Sequence, residues 1–147
     1  MLQAEAFMAE ALREAQLDEN EVPVGAVVVY QGRIIARAHN EREVDSPFAH
    51  AEMLAMERAG RALHSRRLHG CTLYVTLEPC PMCAGALLMA EMDRCVFGAY
   101  DPRQGCCGSV YTLPQDPAFT RHVTCVGGVM EAECARPLRR FFSARRD

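Results

Sequence analysis

The sequence predicts an α/β protein, a three-layer α/β/α sandwich built on a central, mixed five-stranded sheet. Short apolar runs alternate with longer segments of helical periodicity in the order α-β-β-α-β-α-β-β-α. Only Gln31 and Gly32 separate the first two strands, which indicates an antiparallel hairpin. Helical segments separate the second strand from the third and the third from the fourth, as in the crossover connections of a mixed sheet.

Each element has its own local signal. The continuous β-branched run Gly25–Tyr30 predicts a strand that is buried on both faces. Pro81 suits the first position of a helix, because its missing N–H is not needed there. The predicted helices cover residues 2–17, 49–63, 81–92 and from about 131 onward, and the predicted strands cover residues 25–30, 33–38, 72–77, 94–98 and 123–126.

The composition predicts one globular domain over residues 1–147. Half of the residues are apolar and 24% are charged, as in ordinary water-soluble proteins. We expect a cytoplasmic protein without a membrane partner, because there is no long apolar run and no basic, apolar leader. The eight cysteines are then expected to be mostly reduced, with two or more of them binding a metal.

Charge is distributed unevenly along the chain. The formal net charge of −3 gives no general sign of nucleic-acid binding. The C-terminal segment is nevertheless rich in arginine: Arg136, Arg139, Arg140, Arg145 and Arg146. Such a helix could bind phosphates locally, but helical arginines are just as commonly solvated or paired with glutamates, so both interpretations stay open.

Two short motifs contain the candidate metal ligands and a candidate catalytic residue. Cys80 and Cys83 lie three positions apart at a predicted helix start, so both sulfurs share one face near the positive end of the helix dipole. His50 begins the preceding predicted helix, and Glu52 follows two residues later. Two adjacent helix N-termini can therefore direct one imidazole and two thiolates to the same ion, with Glu52 close by.

A Cys-x-x-Cys pair alone does not specify a catalytic metal. It is also typical of a redox pair or of one half of a four-ligand structural zinc site. No second Cys-x-x-Cys and no His-x-x-x-His pair completes a structural site, and redox pairs usually follow the first strand of their fold. We therefore predict a catalytic Zn²⁺ with His50, Cys80 and Cys83 as ligands and one open position.

This arrangement predicts hydrolytic deamination. Zinc with an open position lowers the pKa of a water molecule toward about 7. Glu52 is placed to accept a proton from that water and to pass it to a ring nitrogen and a leaving amine. An amidine-like carbon would thereby exchange its amino group for oxygen and release ammonia.

The motifs resemble those of the zinc-dependent nucleobase deaminases, which combine His-x-Glu with Pro-Cys-x-x-Cys. The resemblance extends over nearly the whole chain and includes residues 21–27, 40, 49–52, 74–80, 82–86, 97–99, 101, 108–109, 141–142 and 145–146. The run Glu21-Val22-Pro23-Val24-Gly25-Ala26-Val27 and the tail Phe141-Phe142-x-x-Arg145-Arg146 are similar to the branch of the family that acts on adenosine in tRNA.

The resemblance implies a cytidine deaminase-like fold and a role for each matched position. His50, Cys80 and Cys83 would hold one zinc per subunit of a homodimer, and Glu52 would move protons. The substrate would be the wobble adenosine of a tRNA anticodon loop, converted to inosine. The resemblance implies that Val24 packs on the base and that Asn40 forms a hydrogen bond with it. It also implies that Asp101 lies near the sugar, and that Phe142 and the terminal arginines contact the anticodon loop.

Two other functions share part of this pattern. A deaminase of free guanine, cytosine or nucleotides would use the same ligands but need no basic tail. A non-catalytic, zinc-stabilised RNA-binding module would need no general base, so Glu52 argues against it. From the residues alone, Asn40 could also cap a loop, Asp101 could be a turn residue and Val24 could belong to the core.

Two positions depart from the family pattern. Cys106 and Cys107 stand in a loop where small residues, commonly alanines, are expected, and we predict that they are small buried thiols. Tyr100 stands where a basic residue is common, which would alter the contact to a neighbouring nucleotide. Neither departure affects the predicted zinc ligands.

Overall fold

The computed structural model of the chain describes residues 2–145. Four helices and five strands account for most of it. The helices are α1 (Leu2–Ala15), α2 (Ala51–Leu63), α3 (Pro81–Met89) and α4 (Glu131–Ala144), and the strands are β1 (Gly25–Tyr30), β2 (Arg33–His39), β3 (Cys71–Leu77), β4 (Arg94–Ala99) and β5 (Thr124–Val126). A single 3-10 turn, Leu113–Gln115, lies between β4 and β5.

The strands form one mixed sheet in the order β2-β1-β3-β4-β5. Strand β1 is antiparallel to both β2 and β3, whereas β3, β4 and β5 run parallel to one another. The predicted hairpin and the predicted mixed sheet are therefore confirmed. Strand β1 is buried along almost its whole length, which agrees with its continuous apolar sequence.

Helices cover both faces of the sheet, as the sequence predicts. The backbone of α1 crosses so close to Gly25 that a β-carbon there would lie 2.0 Å from the carbonyl oxygen of Ala11. On the same face, Gly98 leaves room for Cys134 of α4. Helix α2 packs on β1 and β2. Because β1 is buried on both faces, α2 covers the face of the sheet opposite to α1, and α3 lies beside α2.

Several element boundaries differ from the predicted ones. Helix α2 begins at Ala51 and not at Ala49, because His50 has extended backbone angles and serves as the N-cap. Helix α1 ends at Ala15 instead of residue 17, and α3 ends at Met89 instead of residue 92, where Glu91 adopts a left-handed conformation. The 3-10 turn was not predicted, since three residues carry no periodic pattern.

The topology brings four connections to one edge of the sheet. Strand β1 begins at this edge, and β2, β3 and β4 end there, since Gly25 pairs with His39 and Leu77 with Ala99. We call it the upper edge, and it carries residues 21–24, 40–50, 78–80 and 100–113. The lower edge lies at the other end of β3, β4 and β5. No helix within residues 2–145 is long and apolar enough to cross a membrane.

Candidate metal centre and active site

The three predicted metal ligands lie at two neighbouring helix N-termini on the upper edge. His50 is the N-cap of α2, Cys80 is the N-cap of α3, and neither uses its side chain to cap the helix. Cys83 lies in the first turn of α3 and is fully buried. The caps leave the imidazole and the thiols free for another partner, and Pro81 starts the helix between the two cysteines.

The donor atoms of this cluster are spaced as zinc requires. The His50 Nδ1 atom lies 3.6 Å from Cys80 Sγ and 3.5 Å from Cys83 Sγ. Zinc–sulfur and zinc–nitrogen bonds of about 2.3 and 2.1 Å, arranged tetrahedrally, separate nitrogen from sulfur by about 3.6 Å. All three donor atoms lie within 4.8 Å of one another, so the cluster fits a tetrahedral ion with three protein ligands.

The electrostatics of the cluster favour anionic sulfur. A hydrogen bond from the Cys83 thiol, helped by His50, lowers the pKa of Cys80 to about 4. The same hydrogen bond and burial raise the pKa of Cys83, while the contact with Cys80 raises the pKa of His50. The two sulfurs therefore share a proton that a metal ion would displace on binding.

Glu52 lies in the first turn of α2, two residues after His50, and is buried. Only 4% of its surface is exposed, and burial raises the pKa of its carboxyl to about 7. A carboxyl group with such a pKa can both accept and return a proton near neutral pH. Among residues 2–145, the one cluster of donor atoms that could hold a metal ion contains His50, Cys80 and Cys83, and Glu52 lies outside it. That Glu52 acts as a proton carrier stays a prediction.

Val24 and Asn40 lie side by side on the upper edge. Val24 is buried immediately before β1, and its carbonyl accepts a hydrogen bond from the Asn40 N–H at 3.2 Å. The Asn40 side chain is buried as well, and its Oδ1 accepts the Ala51 N–H at 2.8 Å. Asn40 thus caps the first turn of α2 at Ala51, between the predicted ligand His50 and Glu52, as the loop-cap alternative anticipates.

Asp101 follows β4 on the same edge and begins a loop of residues 101–111, which we call the wall loop. Its Oδ1 accepts the N–H groups of Arg103 and Gln104 at 3.0 and 3.4 Å, so the side chain forms a local turn, as the turn-residue alternative anticipates. Asp101 itself is half-buried. In the same loop, Cys106 and Cys107 are buried, which confirms the prediction of small buried thiols.

Phe142 lies near the end of α4 and is 51% exposed. Its ring meets that of Phe141 edge to face at 5.4 Å. The guanidinium of Arg145 stacks 3.5 Å from the Phe141 ring and donates to the Glu19 carbonyl at 3.0 Å. Arg145 is therefore partly engaged in holding the tail, and the predicted contact of Arg146 lies outside the described residues.

Two buried glutamates on the upper edge were not predicted as site residues. Glu21 accepts the N–H groups of Arg42 and Glu43 at 3.0 and 2.7 Å and thereby ties down the loop before His50. Glu78 does the same for the wall loop. Both glutamates stand within motifs that resemble the family, but these motifs do not identify backbone partners more than twenty residues away.

Comparisons with known proteins agree with this geometry. Residues 1–99 match the family model described as the cytidine and deoxycytidylate deaminase zinc-binding region. The chain is 51% identical over 145 residues to the tRNA-specific adenosine deaminase of Bacillus subtilis (strain 168), covering 97% of this chain and 90% of the relative. It is 45% identical over 122 residues to the tRNA-specific adenosine deaminase of Aquifex aeolicus (strain VF5), covering 81% of each.

A solved structure gives the same result for the fold. It comes from work on A-to-I editing by tRNA:A34 deaminases at the wobble position of transfer RNA, and it superposes with a TM-score of 0.86 at 42% identity. The match covers 90% of this chain and 99% of that one. The family model includes His50, Glu52, Cys80 and Cys83, which the fold gathers at one edge. The chain belongs to the cytidine and deoxycytidylate deaminase family.

Proposed function

We propose that this chain is a tRNA-specific adenosine deaminase, which converts the wobble adenosine of a tRNA anticodon to inosine. The observation that carries the proposal is the triangle of His50, Cys80 and Cys83, with buried Glu52 beside it. The tRNA substrate is supported by the relatives, which are named tRNA-specific adenosine deaminases and are similar to this chain over most of its length.

The donor set supports one Zn²⁺ per subunit. His50 Nδ1 and the sulfurs of Cys80 and Cys83 would hold the ion and leave a fourth position open. Zinc in such a site supplies Lewis-acid activation of a water molecule near neutral pH. The N-terminus of α3 carries the positive end of the helix dipole, which favours the thiolate of Cys80 before a metal arrives and would stabilise both thiolates once the metal displaces the proton of Cys83.

Glu52 moves the protons. Its carboxylate takes a proton from the attacking water and delivers it to the ring nitrogen next to the reacting carbon. The same group then takes the proton of the newly attached hydroxyl and transfers it to the departing amine, which leaves as ammonia as its bond to carbon breaks, while the carbon keeps the oxygen of water as a carbonyl. Burial raises the pKa of the Glu52 carboxyl, and its place beside the three donor atoms puts it within reach of the water that it would deprotonate.

The upper edge supplies the substrate contacts. Val24 would pack on the adenine, and Asp101 would lie near the ribose. Asn40 would form a hydrogen bond with the adenine through its NH₂ group, since its Oδ1 caps α2. Phe142 presents an exposed ring that can stack on a loop base. A base within a duplex cannot reach a buried site, whereas the unpaired bases of an anticodon loop can be splayed into it.

The charge of α4 supports a local contact with RNA. Arg136, Arg139 and Arg140 are exposed, and within residues 2–145 none of them forms an ion pair. They are therefore available to phosphates although the net charge of the whole chain is −3. We place this single deaminase domain, residues 1–147, in the cytoplasm, where a tRNA substrate is available.

A second copy of the chain is the proposed partner of the groove between α2 and α3. This groove has a volume of about 930 Å³ and exposes large apolar side chains, among them Phe48 and Met89, the latter 83% exposed. Exposed apolar surface of this kind favours burial against another protein. Because Phe48 lies two residues before His50, a partner seated here would border the metal centre.

The function is tested by incubating the zinc-loaded protein with an anticodon stem-loop that contains a wobble adenosine, and in parallel with free adenosine, guanine and cytosine. We expect inosine in the RNA and no change in the free compounds. The Glu52→Ala variant, loaded with zinc, is the matched control and should produce none. Turnover of a free base alone would contradict the tRNA assignment, and no turnover at all would favour a non-catalytic RNA-binding module.

The homodimer is tested by sedimentation of the wild type and of Met89→Arg. The wild type should sediment as a dimer, and the charged side chain in the α2–α3 groove should shift it toward the monomer. Arg66→Glu changes charge at the margin of the same groove without touching its apolar surface and serves as the control. A monomeric wild type at micromolar concentration contradicts the proposal.

A further inference from the structure

Glu78 lies at the junction of the two halves of the candidate site. It follows β3 directly and precedes Pro79 and the metal ligand Cys80. Its backbone N–H donates to the Ala99 carbonyl at 2.9 Å, and only 2% of its surface is exposed. A carboxyl group is costly to bury unless its oxygens find donors, so the partners of Glu78 indicate what it is there to do.

Both oxygens of Glu78 are saturated by the wall loop. Oε1 accepts the Asp101 N–H at 2.9 Å and the hydroxyl of Ser109. Oε2 accepts the Cys107 N–H at 3.1 Å and the Ser109 N–H at 2.8 Å. All four donors belong to the wall loop, three of them are backbone groups, and they span almost its whole length.

Two further contacts fix the wall loop to the segment that carries the metal ligand. The Cys106 N–H donates to the Pro79 carbonyl at 2.8 Å, one residue before Cys80. Gly105 approaches the Glu78 carboxyl group so closely that a β-carbon would lie 2.3 Å from its Cδ atom. The wall loop is therefore held by the side chain of Glu78 and by the main chain of the adjacent Pro79.

The wall loop carries side chains that Glu78 itself does not touch. Val110 and Tyr111 are 45% and 69% exposed, and Asp101 is half-buried at the end of β4. None of these residues belongs to the metal cluster. A change in Glu78 would therefore alter the position of the wall loop, whereas the donor atoms of His50, Cys80 and Cys83 would stay in place.

We propose that Glu78 is a positioning residue that holds the wall loop against the metal-ligand segment and so sets the affinity for the RNA substrate. It acts through backbone N–H groups and touches neither the reacting base nor the metal. The proposal rests on the function proposed above, because it requires the wall loop to form one face of the RNA-binding site.

The test uses Glu78→Gln, which keeps the size and shape of the side chain. An amide has one accepting oxygen, and its NH₂ group would face donors where the carboxylate accepts. We expect hydrogen exchange to accelerate at the amides of Asp101, Cys107 and Ser109. The dissociation constant for the anticodon stem-loop should rise by about tenfold or more, since two hydrogen bonds are replaced by donor–donor contacts.

Two readouts separate positioning from a general loss of structure. With saturating stem-loop, kcat should stay within about threefold of the wild type, because the proton-transfer group is unchanged. The absorption spectrum of the Co²⁺-substituted protein should be unaltered, because both thiolates still bind the metal. Ser109→Ala removes one of the four donors and should give a smaller rise in the dissociation constant. Glu91→Gln, at the lower edge, should change none of these quantities.

Four results would overturn the proposal. These are an altered Co²⁺ spectrum or lost metal in Glu78→Gln, unchanged exchange in the wall loop, a fall in kcat with unchanged RNA affinity, or a stem-loop affinity equal to that of the wild type. If the wild type itself neither binds nor deaminates the stem-loop, the proposed function fails first, and the positioning role falls with it. The wild-type measurement therefore distinguishes the two failures.

Discussion

Glu78 and Glu91 occupy opposite edges of the same sheet and collect a similar number of partners by different means. Glu78, at the upper edge, is buried and accepts three backbone N–H groups and one hydroxyl. Glu91, at the lower edge, is 18% exposed and contacts three side chains that are positive or can become so. These are His69 at 2.6 Å, Arg121 at 2.9 Å and Arg67 at 3.6 Å.

The difference shows that buried carboxylates hold the loop conformations of this fold, whereas exposed ion pairs do not. Backbone N–H groups belong to a particular loop conformation, so a buried carboxylate that accepts them selects that conformation. Exposed ion pairs between long side chains are screened by salt and tolerate rearrangement. The upper edge, with Glu21 and Glu78, is therefore organised to hold loops in place, whereas the lower edge only closes the surface around the strand starts.

The largest effect is expected at the metal ligands. Cys83→Ala should abolish zinc binding and reduce turnover by at least about four orders of magnitude, because metal activation and proton transfer fail together. The unfolding temperature should become insensitive to added zinc. Metal content, deamination and thermal melts measure these effects. Cys125→Ala, a half-buried thiol outside the cluster, is the control, and a metal-loaded, active Cys83→Ala would refute the ligand assignment.

The next effect tests whether Glu52 carries protons or binds the metal. Glu52→Gln should retain zinc and lose about 10²–10⁴-fold in kcat, because the amide cannot carry a proton. Affinity for the anticodon stem-loop should hardly change. Zinc stoichiometry and single-turnover deamination distinguish the two roles. Loss of zinc from this variant would mean that Glu52 binds the metal, and the division between ligands and base would be wrong.

The packing of the upper edge predicts a smaller, measurable loss of stability. Gly105→Ala would place a methyl group against the Glu78 carboxyl group and should lower the free energy of unfolding by about 1–3 kcal/mol. Gly85→Ala in α3 has open space and should raise this free energy by about 0.5–1 kcal/mol, because alanine is the better helix former. Urea unfolding measures both. Equal effects at the two glycines would remove the contrast between a crowded and an open position.

The smallest effect is expected at the lower edge. The hydrogen bond with His69, aided by the nearby arginines, holds the pKa of Glu91 below its usual range. Its contribution is therefore present above the ordinary pKa of a glutamate and is lost as the pH falls through the lowered value. Glu91→Gln should lower the unfolding temperature by about 1–2 °C at pH 7 and low salt. The difference should shrink as the pH falls below the ordinary pKa of a glutamate, and also in 1 M salt.

A large and persistent effect of Glu91→Gln would contradict the comparison. It would mean that the exposed ion pairs organise the lower edge as firmly as the buried carboxylates organise the upper one. The unfolding temperature of the variant is compared with that of the wild type at neutral and at acidic pH. Any effect of acid on metal binding is common to both proteins and cancels in this difference. The control Arg13→Gln removes an exposed i,i+3 pair and sets the size of an ordinary surface effect.

Most of the fold and the centre of the site could be predicted because their signals are local. The apolar run of β1, the two-residue hairpin turn and the helical periodicities are properties of consecutive residues. His50, Cys80 and Cys83 were predicted although thirty positions separate the first two, because few residue types bind zinc and their spacing at helix starts restricts the choice. Helix ends were less accurate, since capping depends on backbone angles as much as on sequence.

The sequence by itself determined the order of the elements, the mixed sheet and the residues of the candidate metal centre, since these follow from periodicity and from the residue types that bind a metal. Only the tertiary structure decided which backbone groups meet Glu21 and Glu78, and therefore how the loops beside the candidate metal centre are held. Every residue except proline carries a backbone N–H, so its partner leaves no mark in the sequence. Such contacts exist only after the strands have paired and have brought their ends to one edge.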